Sequence, residues 1–155
     1  AWRRVPDPRA PATVLLFIAR DCPNANRILP EFGRLHTAYA PRGVRFYAVY
    51  AEPGLTPAAA RRHAREFGVA APAVVASWRE LAAATGVSVT PEAAVIGPDG
   101  ALRYRGRVDD RFAELGRNRP RPTRHDLEDA LRAILAHQPV AVPRTSAVGC
   151  FIPKS

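Results

Sequence analysis

TVLLFIARDCPNANRILPEF, residues 13–32, runs from an unbroken apolar stretch straight into a cysteine followed by a proline. Residues 13–19 are short, continuous and partly β-branched or aromatic, the pattern of a strand buried on both faces. Behind them Ile28, Leu29, Phe32, Leu35 and Tyr39 recur at spacings of one, three and four, which predicts an amphipathic helix to about Ala40. Pro23 suits the first helical position, where its missing N–H costs nothing, so Cys22 falls at or next to the N-cap. Free backbone N–H groups and the positive end of the helix dipole then point at the sulfur and favour thiolate over thiol. Arg20 adds a positive charge nearby and Asp21 opposes it. The alternative is a cysteine chosen because it is small and apolar. A strand-to-helix corner at the carboxyl edge of an α/β sheet, where such folds place ligands, favours the reactive thiol.

Outward from this corner, VRFYAVYAE at 44–52 reads as a second strand. Thr56 and Pro57 start a helix over 57–67 that Gly68 stops. PAVVA at 72–76 is a third strand, and Ser77 with Glu80 forms a capping box for the short helix SWRELAAAT, ended by Gly86. EAAVI, the turn GPDG and ALRYRGRV read as a hairpin over about 92–108. Thr123 is expected to cap a last helix carrying the stripe Leu127, Ala130, Leu131, Ile134 and Leu135. The Pro-rich residues 1–12 read as an extended lead-in, 13–136 as one domain, and 137–155 as a tail without helical period. This order predicts an α/β fold with a mixed sheet flanked by helices, its first two strands parallel through a right-handed crossover.

At 155 residues the chain can bury a core without disulfide staples, so its two cysteines are at most a pair. The formal charge of +9 rests almost wholly on arginine, Lys154 being the sole lysine, and no aromatic-interleaved basic patch accompanies it. Nucleic acid is therefore not expected as a partner. No apolar stretch approaches the 18 or so residues of a membrane span. The chain begins at Ala1 without an initiator Met, and the expectation is that a leader or anchor was removed or the chain trimmed. A cysteine pair without metal spacing fits an oxidising, extracytoplasmic compartment better than the cytosol.

DCP at the head of the helix, Pro30 eight residues past the cysteine, and VTPEAAVIGPDG at 89–100 together resemble the thioredoxin-like superfamily over about residues 12–136. The likeness is greatest to its redoxin branch, the alkyl hydroperoxide reductase and thiol-specific antioxidant type. The resemblance implies a thioredoxin fold in which Cys22 is the active cysteine. It also implies that Pro30 lies within the first helix and that Pro91, after Thr90, is a cis proline facing Cys22 and offering backbone polar groups to a bound thiol or peptide. Two positions depart from the family. Ala25 stands where a Cys-x-x-Cys pair would have its second cysteine, and Ala19 stands where the peroxidase branch has a threonine.

Cys150, in TSAVGCFIP, lies 150 − 22 = 128 residues from Cys22. Residues 137–149 can extend to roughly 40 Å, enough to cross a small domain, and VAVP, AVG and CFIP are apolar enough to dock. The expected function is a thiol–disulfide redox protein with Cys22 as nucleophile, Cys150 as resolving cysteine, and Arg20, Pro23, Thr90 and Pro91 supporting the site. The expected partner is a thiol or disulfide protein, or a small thiol as electron donor, with no cofactor or resident metal. A peroxiredoxin-like thiol peroxidase is an alternative. So is a Cu(I)-binding or partner-docking module without turnover, the metal held by Cys22, Cys150 and a histidine. His36, His63, His125 and His137 read as surface or helix-end residues. The Arg-rich run 103–124 reads as a solvated loop with internal ion pairs.

Overall fold

The computed structural model describes residues 6–114 and 116–153; residues 1–5 of the lead-in and 154–155 of the tail lie outside them. Strand β1 (Thr13–Ile18) is buried along its whole length. It leads through Ala19–Asp21 into helix α1 (Pro23–Tyr39), which has Cys22 as N-cap and contains Pro30. A 3₁₀ turn (Ala40–Arg42) ending at Gly43, φ +94°, turns the chain into β2 (Arg45–Tyr50), parallel to β1. Helix α2 (Pro57–Glu66) is capped by Thr56, whose hydroxyl accepts the Ala59 N–H at 3.1 Å. It returns the chain to β3 (Ala73–Val74), parallel to β2.

Helix α3 (Trp78–Thr85) ends at Gly86, φ +79°. The two-residue β4 (Val89–Thr90) and the cis Thr90–Pro91 bond precede β5 (Glu92–Ile96), antiparallel to β1, and β6 (Leu102–Gly106) completes the hairpin. The central sheet has the order β3-β2-β1-β5-β6. A small hairpin, β7 (Phe112–Glu114) with β8 (Arg117–Asn118), and helix α4 (Asp126–Leu135) follow, and β9 (Cys150–Phe151) pairs with β4.

Alternation along β1 builds two cores. Val14, Leu16 and Ile18 face a cluster with Ile28, Leu29, Phe32 and Leu35 of α1 and Leu127 and Leu131 of α4. Leu15 and Phe17 face the opposite side, packing with Trp78 and Leu81 of α3. Successive strand side chains point to opposite faces, so an unbroken apolar run is what a strand with helices on both sides requires.

Two expected caps do not form. Ser77 precedes α3 but makes no capping hydrogen bond. The N-cap of α4 is His125, while Thr123 donates its hydroxyl to Asp110 Oδ2 and its N–H to Oδ1 at 2.7 Å. Both hydroxyl residues have the right chemistry for a cap, but at Thr123 a buried carboxylate is the stronger acceptor. The run 103–124 is accordingly less solvated than its composition suggests. Asp109 and Asp110 are buried, the first gripped by Arg111 at 2.9 Å and the second receiving the N–H groups of Thr123 and Arg124.

Candidate functional site

The site forms where the carboxyl end of β1 meets the N-terminus of α1. Cys22 is 2% exposed. Its N–H donates to Ala19 O at 3.2 Å and its carbonyl accepts the Asn26 N–H at 3.0 Å, the first turn of the helix. The thiol donates to Thr90 O at 3.2 Å, across the site from α1.

The tail closes the other side. After α4 it runs along the edge of β6: Arg105 N–H donates to Pro143 O at 3.0 Å and Thr145 N–H to Arg105 O at 3.1 Å. Thr145 Oγ1 lies 2.6 Å from the Tyr104 hydroxyl and accepts the Arg107 N–H at 3.0 Å. Gly106 makes this approach possible, because a Cβ there would overlap Thr145. Farther on, Asn24 Nδ2 donates to Val148 O at 3.1 Å, Cys150 pairs with Thr90 and Phe151 with Val89, and Ile152 N–H donates to Ser88 O at 2.9 Å. Gly149 is required for the same reason as Gly106: its missing Cβ leaves room for the Thr90 carbonyl. Glu92, buried behind the loop, accepts the N–H of Ser88 at 2.9 Å and of Val89 at 3.3 Å and so shapes the edge on which the tail lies.

Cys150 is thereby set against Cys22, and both are free thiols. Their acidities diverge. Burial pushes the Cys22 thiol up, but hydrogen bonding from the Cys150 thiol, the Ala25 N–H, the Thr90 hydroxyl and the Cys150 N–H outweighs it and holds the group below its ordinary value. Burial and the Cys22 sulfur together push Cys150 up to about 11. Of the two sulfurs, Cys22 is the more readily ionised and Cys150 the one held as thiol. A cavity of about 220 Å³, lined in part by Asp21, Cys22, Glu52, Thr90 and Cys150, opens beside the two sulfurs.

Arg20, expected to add a positive charge near the sulfur, is paired with a carboxylate. Its guanidinium pairs with Glu52 at 3.1 Å and its N–H donates to the same carboxylate at 2.8 Å, so it ties the β1–α1 loop to the end of β2. Pro23 occupies the first turn of α1, as its ring geometry favours.

His63 departs from its expected exposure. It is buried, with Nδ1 2.8 Å from the Tyr50 hydroxyl and Nε2 2.8 Å from Asn26 Oδ1, while Asn26 Nδ2 donates to Arg20 O at 2.7 Å. His36 packs on Phe46, and His137 follows α4 with φ +57°. Among the described residues no histidine joins the two cysteines. The one grouping of three ligand-type side chains there, Glu31, Asp109 and His125, has its carboxylates already engaged by Arg34 and Arg111. The asparagines of DCPNAN were the available signal for Asn24 and Asn26: asparagine is a poor helix former, and two in a first turn mark side chains with another task. Nothing in the sequence pointed to Gly149, His63 or Tyr50.

No protein-family model and no curated protein matches the chain. Among solved structures, an uncharacterized conserved protein from Geobacillus kaustophilus superposes with a TM-score of 0.81 at 29% identity, covering 99% of this chain and 81% of its own. A hypothetical protein, SMc02350, from Sinorhizobium meliloti 1021 gives 0.79 at 25% identity over 94% of this chain and 80% of its own. A protein from Chlorobium tepidum, described as a putative thiol:disulfide interchange protein DsbE, gives 0.60 at 18% identity over 83% and 82%. With the sheet order above, these likenesses show the thioredoxin fold.

Proposed function

We propose that this thioredoxin-fold chain is a thiol–disulfide oxidoreductase in which Cys22 is the nucleophile and Cys150, delivered by the tail, is the resolving cysteine. The observation that supports it best is the seat of Cys150 on β9 opposite Thr90, the residue whose carbonyl the Cys22 thiol meets, with acidity favouring ionisation of Cys22 over Cys150. The Cys22 thiolate attacks a partner disulfide. One sulfur of the partner joins Cys22 in a mixed disulfide, and the other leaves as a thiolate that takes a proton from water. Cys22 is then no longer an anion, and the part of the Cys150 shift due to the Cys22 sulfur disappears with its charge. Cys150 ionises more readily, attacks Cys22, and releases the second partner thiol, leaving the Cys22–Cys150 disulfide. Two equivalents of an external thiol, or one dithiol, return both cysteines to the reduced state and are themselves oxidised to a disulfide. The order of attack thus follows from the pair's own electrostatics.

Arg20, Pro23, Thr90 and Pro91 support the site in this reading. Pro23 starts the helix, Arg20 anchors the loop, and Thr90 with Pro91 forms the wall on which Cys150 lies. Lacking a Cys-x-x-Cys partner at Ala25, the chain uses a second cysteine distant in sequence. An extracytoplasmic setting, where thiol–disulfide exchange between proteins operates, belongs to this reading. Reduction of a protein disulfide by an external thiol, abolished in C22S and stalled as a trapped mixed disulfide in C150S, is the expected result. Peptide mapping under non-reducing conditions that finds Cys22 and Cys150 unlinked after mild oxidation overturns the two-cysteine cycle. Peroxide consumption without disulfide exchange would replace it by a thiol peroxidase.

A further inference from the structure

We infer that His63 is a positioning residue for Cys22, acting through Asn26 as a hydrogen-bonded staple across the start of α1. The inference rests on the reading of Cys22 as a nucleophile. Its geometry runs through four elements without a break: Tyr50 on β2, His63 on α2, Asn26 on α1, and the carbonyl of Arg20 in the loop that delivers Cys22.

The proton positions follow from the partners. The Arg20 carbonyl only accepts, so the Asn26 atom facing it is the NH₂ group, and Oδ1 faces His63. Oδ1 only accepts, so His63 Nε2 carries a proton. Nδ1 is then the lone-pair nitrogen of a neutral ring and accepts from the Tyr50 hydroxyl. A second proton on the ring would face the Tyr50 oxygen and force that hydroxyl to turn away, although Tyr50 is wholly buried. Burial itself depresses the His63 titration, opposed by the carboxylates of Glu52, Glu66 and Asp21 and reinforced by Arg20. Phe67, its ring centroid 4.6 Å from that of His63, covers another side of the imidazole.

The staple matters because of where it grips. Arg20 O lies two residues before Cys22 and Asn26 four residues after it, so one side-chain amide holds both flanks of the N-cap. Glu52 holds the same loop from β2 through the Arg20 N–H and guanidinium. Together these contacts keep the Cys22 sulfur near the Ala25 N–H and the Thr90 hydroxyl, two of the groups that favour its thiolate. Without the staple the loop carbonyl turns to water and the N-cap loosens.

The test reads the pH profile of Cys22 alkylation by iodoacetamide in the full chain, followed by mass spectrometry of the Cys22 peptide. In N26A, whose asparagine is only partly buried, the midpoint is expected to rise by about one pH unit relative to wild type. His63→Leu should raise it similarly, and the double variant should add little to either alone, since both break one chain of bonds. His63→Gln, whose amide can donate to Asn26, should restore most of the low midpoint; a merely space-filling role would not distinguish Leu from Gln in this way. An unchanged midpoint in N26A, or fully additive shifts in the double variant, overturns the staple while leaving Cys22 a nucleophile. A wild-type midpoint at or above about 8.5 instead removes the nucleophile reading itself, and the inference with it.

Discussion

Gly149 separates the docked tail from a free one. A Cβ at this position would meet the carbonyl oxygen of Thr90, a backbone atom that no rotamer change can move aside. In G149A the β9 strand must therefore lift from β4, losing the pairing of Cys150 with Thr90 and Phe151 with Val89 and weakening the Asn24–Val148 and Ile152–Ser88 bonds on either side. Two or three hydrogen bonds at about 1 kcal/mol net each give roughly 2–3 kcal/mol against docking. At about 1.4 kcal/mol per tenfold, the undocked fraction rises on the order of 30- to 100-fold. The effect stays local, because the tail keeps its upstream anchor of Thr145 on Tyr104, Arg105 and Arg107.

The assay is the limiting alkaline rate of Cys22 modification by a bulky maleimide, where the thiolate fraction no longer matters and access alone is read. G149A should raise this rate toward the 30-fold range and slow formation of the Cys22–Cys150 disulfide, with little change in Tm. G33A, in the interior of α1 with open space around its Cβ, is the matched control and should leave the rate unchanged. If G149A reacts at the wild-type rate and closes its disulfide as readily, the tail is not what covers Cys22, and the delivery of Cys150 by β9 is wrong.

The acidity split predicts that Cys22 alkylates at pH values where Cys150 does not: the Cys22 midpoint lies below the ordinary thiol value and Cys150 nears half-ionisation only at about 11, checked by following both peptides by mass spectrometry. Cys22→Ser removes the neighbouring thiolate, so the Cys150 midpoint should fall in that variant. Asp110 is buried, which acts to raise its titration, but the Thr123 hydroxyl and the N–H groups of Thr123 and Arg124 hold it well below the usual carboxylate range. Its contribution to stability is therefore present above the unfolded carboxylate pKa, near 3.9, and lost as pH falls through the lower folded value. Thermal melts from neutrality into that acid range should show D110N with a smaller acid loss and a lower Tm at neutral pH. Leu131→Ala, at a wholly buried position between α4 and the sheet, should cost about 2–5 kcal/mol in urea unfolding.

Much of the architecture is written in local pattern. The apolar run of β1, the spacing of Ile28, Leu29, Phe32 and Leu35, and the stop at Gly86 each report a choice made within a few residues, because periodicity and turn chemistry are short-range properties. Pro23 likewise places Cys22 at the N-cap without reference to the rest of the chain. The same locality explains the errors. Thr123 looks like a cap because a hydroxyl ahead of an apolar stripe usually is one, until Asp110, thirteen residues earlier, claims it. His63 looks exposed because its helix is polar, yet its one inward face meets Tyr50 and Asn26.

The sequence by itself therefore determined the βα corner, the mixed sheet and the placement of one cysteine at a helix start, since these depend on neighbours along the chain. Only the tertiary structure decided which sulfur lies opposite. The approach of Cys150 depends on Gly106 and Gly149 leaving room for backbone to touch backbone, and on a strand edge at Val89–Thr90 that needs a partner for its hydrogen bonds. Such contacts join residues 145 − 106 = 39 and 149 − 90 = 59 positions apart, and a missing Cβ carries no periodic signal.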